Sequence, residues 1–397
     1  MAKKKKLKKT NPSAPSHSSP SRKTITRIKV IGVGGGGGNA VSRMMEGNRI
    51  RGVEFIAINT DAQDLDHASA HRKIYIGKAL THGMGTGMNP ELGKQAAEEN
   101  RSEIGEALED ADIVFVTAGM GGGTGSGGGP VVAEIAKEKG ILTIGIVTRP
   151  FTFEGAQRAN IAQDALNRLK EKVDALVVIP NDRIFSLISK DTPLMKAFSF
   201  IDDVLQNAVQ AIAELINTPG IINVDFADIK TTLRDAGTTL IGIGEASGAD
   251  RSVKAVDMAI NSPLLEISIE GAKGVLFSIA GGRDMKMAEV HDIAKAISTN
   301  LDPSARVIFG AYHDRSLKDK SVRVTVIATG FNGLMHQKVT TPTLFVPVEF
   351  SKSEPKGTTL KGHEDRSKRE KEEKMEDGVP PKGDQWEIPT FMRKKKK

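Results

Sequence analysis

Gly121, Gly122, Gly123, Thr124, Gly125, Ser126 and Gly127 form the run in this 397-residue chain best suited to chemistry. A segment almost free of side chains brings backbone N–H groups against an anion. Any Cβ there would hold the anion off, and several positions must reach positive φ. Thr124 and Ser126 add hydroxyl donors. An apolar, β-rich run at residues 112–117 precedes the glycines and a helical pattern at 131–136 follows, with Pro130 suited to the first turn of that helix. A strand, a glycine loop and a helix start together make a phosphate cradle, a frame that a flexible linker lacks.

A second glycine run, Gly34, Gly35, Gly36, Gly37, Gly38 and Asn39, follows the apolar residues 28–33 and precedes a helix expected from Ala40. Gly32, Gly34 and Gly37 fit the dinucleotide fingerprint G-x-G-x-x-G, and a strand near 55–61 ends in Asp61. Alone, this half of the pattern favours a nicotinamide oxidoreductase. A third glycine-rich segment, residues 83–90, changes the balance. A dinucleotide has one pyrophosphate and needs one glycine turn, whereas several such loops suit the greater charge of a nucleoside triphosphate. No Walker sequence competes, because Gly93-Lys94 is followed by Gln95 and lacks the spacing.

The elements that must position these loops follow from the pattern. Residues 1–24 are rich in Lys, Ser and Pro and are expected to be disordered. From 25 to 199, short β-rich runs alternate with helical patterns, which predicts a mostly parallel sheet. Residues 200–218 carry apolar side chains at helical spacing on a wide face (Ile201, Val204, Leu205, Ala208, Val209, Ile212, Leu215), as for a helix between two domains. Pro219-Gly220 ends that helix and a second domain runs over 219–331. Residues 332–383 read as a disordered linker. Residues 384–397 set Trp386, Ile388, Pro389, Phe391 and Met392 beside Arg393 and four lysines, the composition of a short docking peptide. The fold class is therefore α/β: a Rossmann-like domain with a parallel sheet, a long central helix, a second α+β domain and disordered tails.

Composition narrows the function. There are no cysteines, which excludes disulfides and thiolate metal sites, and the eight histidines show no zinc spacing. No run of about eighteen apolar residues is present to span a membrane. The net charge of +7 includes eleven basic residues at the two ends, so the rest carries −4. The basic ends are suited to weak contact with anionic lipid, or serve only to keep the chain soluble. Aromatic residues make up 4% of the chain, too few for base-stacking surfaces, so no dedicated nucleic-acid site is expected.

Gly121 to Gly127 resembles the tubulin signature, and the wider set resembles the tubulin/FtsZ family in its bacterial cell-division branch. The set comprises residues 31–41, Asn59 to Gln63, Phe153-Glu154-Gly155 with Arg158, and residues 223–228; the resemblance covers about residues 28–331 and resumes at the C-terminus. It implies a cytoplasmic GTPase at the midcell division ring that converts GTP to GDP and phosphate with Mg²⁺ and polymerises head to tail with itself. Residues 25–199 would be the GTP-binding domain and 219–331 the C-terminal GTPase-activating domain. Both glycine runs, with Ala118 and Gly119, would hold phosphates, and no protein metal cage is expected.

The same resemblance assigns the remaining site residues. Asp202 would take the guanine base, with Asp203 as its substitute, because Asp-Asp stands where the family often has one Asn. Phe198 would lie against the base, and Glu154 and Arg158 near the ribose. Asn223, Asp225 and Asp228 would enter the site of the next subunit and position the attacking water; from the residues alone, Asp225 and Asp228 are equally an N-cap and a first-turn acid. The C-terminal peptide would bind membrane-tethered division adaptors. Gly85 to Asn89 and the extra glycines before Pro130 depart from the family pattern, and the lysine-rich leader lies outside it.

Overall fold

The computed structural model describes residues 26–331 except 48, 49, 51, 190, 219, 263–267, 300, 315, 316 and 319. The predicted leader, linker and docking peptide, and Pro219, lie outside the described residues.

The first half of the chain builds β1 (Ile28–Val33), α1 (Gly34–Glu46), β2 (Val53–Asn59), α2 (Ala62–His67), β3 (Arg72–Tyr75) and α3 (Lys78–Thr81). Next come α4 (Pro90–Glu99), α5 (Arg101–Ala107), β4 (Ile113–Gly119), α6 (Thr124–Glu138), β5 (Leu142–Arg149), α7 (Ala156–Lys172) and β6 (Ala175–Pro180). The long helix α8 (Leu194–Asn217) leads to α9 (Phe226–Leu233), β7 (Gly237–Thr238), β8 (Leu240–Ser247) and α10 (Arg251–Ile260). The last elements are β9 (Gly274–Gly281), α11 (Met287–Thr299), β10 (Arg306–His313) and β11 (Ser321–Thr329).

Seven strands form a wholly parallel sheet in the order β3-β2-β1-β4-β5-β6-β7. Its central strands are apolar on both faces because helices cover both. Along β4, Val114 and Val116 join the core under α4 to α7, while Ile113 and Phe115 join the core under α1, α8 and α9. The chain runs outward from β1 in one direction and from β4 in the other, so the crevice between these strands is the topological switch point where ligands bind in such sheets.

The second sheet, in the order β10-β9-β11-β8, has one parallel and two antiparallel pairings and its own core. Its Leu276 and Ile327 also enter the core formed by Leu205, Ala208, Val209 and Ile212 of α8. At about 1.5 Å per residue, α8 is long enough to serve both sheets. It starts ahead of the expected residue 200.

Two local expectations need correction. Helix α1 begins at Gly34, not Ala40, so the second glycine run forms the first turns of the helix. Likewise α6 begins at Thr124, which places Pro130 inside the helix, not in its first turn. Glycine has a poor intrinsic helix propensity, but here tertiary packing overrides it. A Cβ on Gly127 would overlap the carbonyl of Pro90, and one on Gly37 would stand 2.5 Å from that of Thr117. Separately, the two-residue β7 follows the central helix yet pairs with β6, so residues 219–331 contribute a strand to the first sheet.

Candidate nucleotide site

A cleft of about 730 Å³ opens at the C-terminal ends of β1, β4, β5 and β6. Its floor is the meeting point of two helix starts. Gly34, Gly35, Gly36 and Asn39 of α1 face Gly119, Gly122, Gly123, Thr124 and Gly125. Neither helix has a side-chain cap, and neither has an acid in its first turn. By contrast, α2, α4 and α9 are capped by Asp61, Asn89 and Asp225. The first N–H groups of α1 and α6, with the positive ends of both helix dipoles, are therefore available to an anion.

The glycines bring these ends together. A Cβ on Gly34, whose φ is +72°, would stand 2.9 Å from the amide nitrogen of Gly125; one on Gly36 would stand 3.3 Å from Gly119. Nothing lies within 4 Å of a Cβ built on Gly122, so the loop has room for a ligand there. This cradle fits the phosphates of a nucleotide.

The hydroxyls expected to bind phosphate tie the loops together. Thr124 Oγ1 lies 2.6 Å from Thr60 Oγ1 and 3.3 Å from Thr86 Oγ1, all three buried, which joins α6 to the end of β2 and to the middle of the third glycine segment. Ser126 Oγ accepts a hydrogen bond from Gly121 N at 2.9 Å and is fully buried. Gly37, Gly38, Ala118, Gly121, Ser126 and Gly127 do not line the cleft.

The other end of the cleft is apolar and carboxylate-bearing. Phe198, Met195 and Asp202 come from the first turns of α8. The Phe198 ring meets buried Phe151 edge to face at 5.7 Å. Burial pushes the Asp202 carboxyl up to about 6; the Arg43 guanidinium opposes that rise and Asp203 adds to it. Asp203 does not line the cleft and pairs with Arg43 at 3.5 Å. Glu154 is held from two sides, by Arg158 at 2.6 Å and by the Phe151 N–H at 2.8 Å, and both Glu154 and Arg158 line the cleft.

Sequence reasoning missed Asn181 and Arg43. Asn181 follows β6 and lines the cleft, and its buried Oδ1 has no hydrogen-bond partner in the structure. Its place just past the carboxyl end of a parallel strand was the available signal. Arg43 sits one helical turn beyond Asn39, a spacing that puts both on one face of α1.

The acidic loop is elsewhere. Asn223, Asp225 and Asp228 are exposed, and the chain before them is pinned to β10 by Ile221 N to Ala311 O at 2.7 Å. Asp225 caps α9 through Ala227 N at 3.3 Å, and Asn223 Oδ1 accepts from Gly220 N at 2.7 Å. Asp225 shares a surface depression with Ile28, Lys29, Val53, Glu54 and Asp112, which lie at the N-terminal ends of β1, β2 and β4. The acids and the nucleotide cleft are thus at opposite ends of one parallel sheet, about 20 Å apart for strands of this length. No group of three or more metal-ligating side chains occurs among the described residues.

A Rossmann-like sheet with two uncapped helix starts converging on one cleft, and a central helix leading to a second domain, defines the class as a tubulin-like nucleotide-binding protein. The family profiles agree: "Tubulin/FtsZ family, GTPase domain" matches residues 27–189 and "FtsZ family, C-terminal domain" matches 237–332. The structure of an empty FtsZ dimer from M. jannaschii is 46% identical, covering 78% of this chain and 89% of that one, with a TM-score of 0.74. CetZ2 from Haloferax volcanii, solved as a GTPγS-bound protofilament, is 23% identical over 78% of this chain and 94% of its own, with a TM-score of 0.67. CetZ1 from the same organism, a GDP-bound monomer, is 24% identical over 78% and 96%, with a TM-score of 0.68. The two CetZ likenesses concern the fold alone. This chain belongs to the FtsZ family, and its first domain is a GTPase domain.

Proposed function

We propose that this GTPase assembles head to tail into filaments of the cell-division ring and completes its active site only between subunits. The observation that carries the reading is the separation of the acidic loop from the cleft along one rigid sheet. A chain cannot bring its own Asp225 and Asp228 to its own cleft, but a second copy stacked on the cleft can present them there. A head-to-tail contact of this kind does not close, so it generates a filament. The M. jannaschii relative, solved as a dimer, supports self-association.

In this reading Asp202 accepts the N1 and N2 protons of guanine, Phe198 packs against the base, and Asn181 supplies a further polar contact. Glu154 and Arg158, fixed by their ion pair, orient the ribose. The amides of Gly34 to Gly36 and Gly122 to Gly125 take the phosphates of GTP or GDP. Mg²⁺, when bound, would neutralise phosphate charge; with no cluster of three or more metal-ligating side chains among the described residues, it would hold mostly phosphate and water oxygens. From the adjacent subunit, Asn223, Asp225 and Asp228 orient the attacking water, and a carboxylate takes its proton as the bond to the γ-phosphorus forms and GDP leaves. The C-terminal peptide around Trp386 and Phe391 is assigned to membrane-tethered adaptors, the basic ends to weak lipid contact, and the protein to the cytoplasm at midcell.

The test is GTP turnover per molecule as protein concentration rises with Mg²⁺ present. A threshold followed by a plateau is expected. Constant turnover at all concentrations would mean a self-contained site and would overturn the shared-site mechanism.

A further inference from the structure

The Asp202–Asp203 pair poses an electrostatic problem that the base contact alone does not solve. Two adjacent carboxylates stand in the third turn of α8, and the first of them, Asp202, lines the cleft with Phe198, Met195 and buried Leu205. Facing them from α1 is Arg43, whose Nε lies 3.5 Å from Asp203 Oδ1. The other charged groups lining the cleft, Glu154 and Arg158, are bound to each other at 2.6 Å. The Arg43 and Asp203 side chains are 43% and 46% exposed, and a pair so open to water contributes little to folding. Arg43 itself lines the cleft together with Asp202.

We propose that Arg43 is a specificity-determining residue for the guanine base, its guanidinium holding the Asp202–Asp203 pair so that Asp202 meets the base as a pure acceptor. This rests on the assignment of Asp202 to guanine. Guanine presents two donors to the carboxylate, N1–H and the 2-amino group, whereas hypoxanthine presents only the first. A carboxyl that has taken up a proton offers one acceptor and one donor, and so loses more with guanine than with hypoxanthine. Burial and Asp203 both drive Asp202 towards that protonated form, and Arg43 opposes them.

The experiment measures GTP and ITP affinity on the full chain across the titration of the carboxyl, by competition with a fluorescent guanine nucleotide. The variants are Arg43→Gln, Arg43→Lys, Asp202→Asn and the Arg43→Gln/Asp202→Asn pair. Arg43→Gln is expected to lower the preference for GTP over ITP and to move the acid limb of GTP binding up by about one pH unit, the usual size of such a charge effect. Arg43→Lys keeps the charge and restores most of both properties. In the Asp202→Asn background Arg43→Gln adds no further loss. The proposal is overturned if Asp202→Asn lowers the preference while Arg43→Gln moves neither the preference nor the acid limb. It is also overturned if the Arg43→Gln effect is undiminished without Asp202. If Asp202→Asn itself leaves the preference unchanged, the base assignment fails and the proposal fails with it. Should Arg43→Gln fold poorly, Arg43→Lys decides: a GTP/ITP preference far below the parent's in a fully folded lysine variant overturns a role for charge.

Discussion

Gly93 of α4 and Gly123 at the start of α6 meet backbone to backbone: a Cβ on Gly93 would overlap the carbonyl oxygen of Gly123. The cradle thus depends on a glycine outside either phosphate run, because only a bare Cα lets α4 come down on the loop. By contrast, Gly38 in α1 has nothing within 4 Å of a built Cβ. These two glycines make opposite predictions.

Gly93→Ala should cost about 1–3 kcal/mol through overpacking, more than the roughly 1 kcal/mol that alanine gains over glycine in a helix. It should also weaken GTP binding, since the Gly123 carbonyl must move. Gly38→Ala should stabilise the fold by up to about 1 kcal/mol. Thermal melts and nucleotide titrations of both variants check the pair. Equal destabilisation would mean that packing against the loop does not set the cost.

The Asp202 carboxyl, raised to about 6, gives a pH dependence of determinate sign. GTP affinity should fall as pH drops through about 6, because the protonated group loses an acceptor, approaching about tenfold per pH unit. Stability of the nucleotide-free chain runs the other way. The folded state holds this proton more tightly than the unfolded chain, so its stability declines as pH rises from near 4 to 6. Asp202→Asn should flatten both profiles and raise the melting temperature at neutral pH. An acid limb that survives in Asp202→Asn would assign it to another group.

Much of this arrangement was legible in the residues. The strands β1 and β4 stand out because a parallel sheet covered on both faces is an unbroken apolar run, and glycines after them line the cleft. The helical registers of Gly34 to Gly38 and Thr124 to Gly129 were not legible, because glycine counts against a helix until α4 and the ends of β1 and β4 pack on it. Asn181 and Arg43 belong to no motif; each reaches the cleft through where its strand or helix ends in space. The distance between Asp225 and the cleft was equally hidden, since it follows from the parallel direction of strands distant in sequence.

In the second domain, Arg251 is a test of burial. Its side chain is 5% exposed and makes an ion pair with Asp284 at 2.6 Å and a two-pronged contact with Glu289 at 2.6 and 2.9 Å. Arg251→Met removes the guanidinium from Glu289, which keeps only the Lys286 N–H at 2.8 Å, and should cost about 1.5–3 kcal/mol. Arg251 holds the Glu289 carboxyl below its ordinary value, so the pair's contribution is present above that ordinary value and is lost as pH falls through the depressed one. Denaturant titrations at neutral and acid pH should show a large gap between parent and variant that closes in acid. A gap independent of pH would mean that packing, not charge, carries the loss.

The separation of Asp225 and Asp228 from the cleft makes the strongest prediction. Asp225→Asn should keep the cap on α9, because an asparagine Oδ1 can accept the Ala227 N–H as the aspartate does; an unchanged melting temperature alongside the activity loss checks this. Turnover should fall by about 10²–10⁴ for loss of a proton-handling group, with GTP affinity unchanged because the acids lie at the far end of the sheet. A second variant, Gly122→Asp, puts a negative side chain among the phosphate-binding amides and should abolish nucleotide binding while leaving the acidic loop intact. Each alone should be nearly inactive. Mixed, they should recover part of the parent activity, because a contact that pairs the intact cleft of the first with the intact acidic loop of the second is a complete site. Recovery should rise with total concentration and disappear when the acidic-loop variant is diluted alone. Absence of any recovery in a mixture that still co-assembles would place both halves of the site within one chain, against the geometry of the sheet.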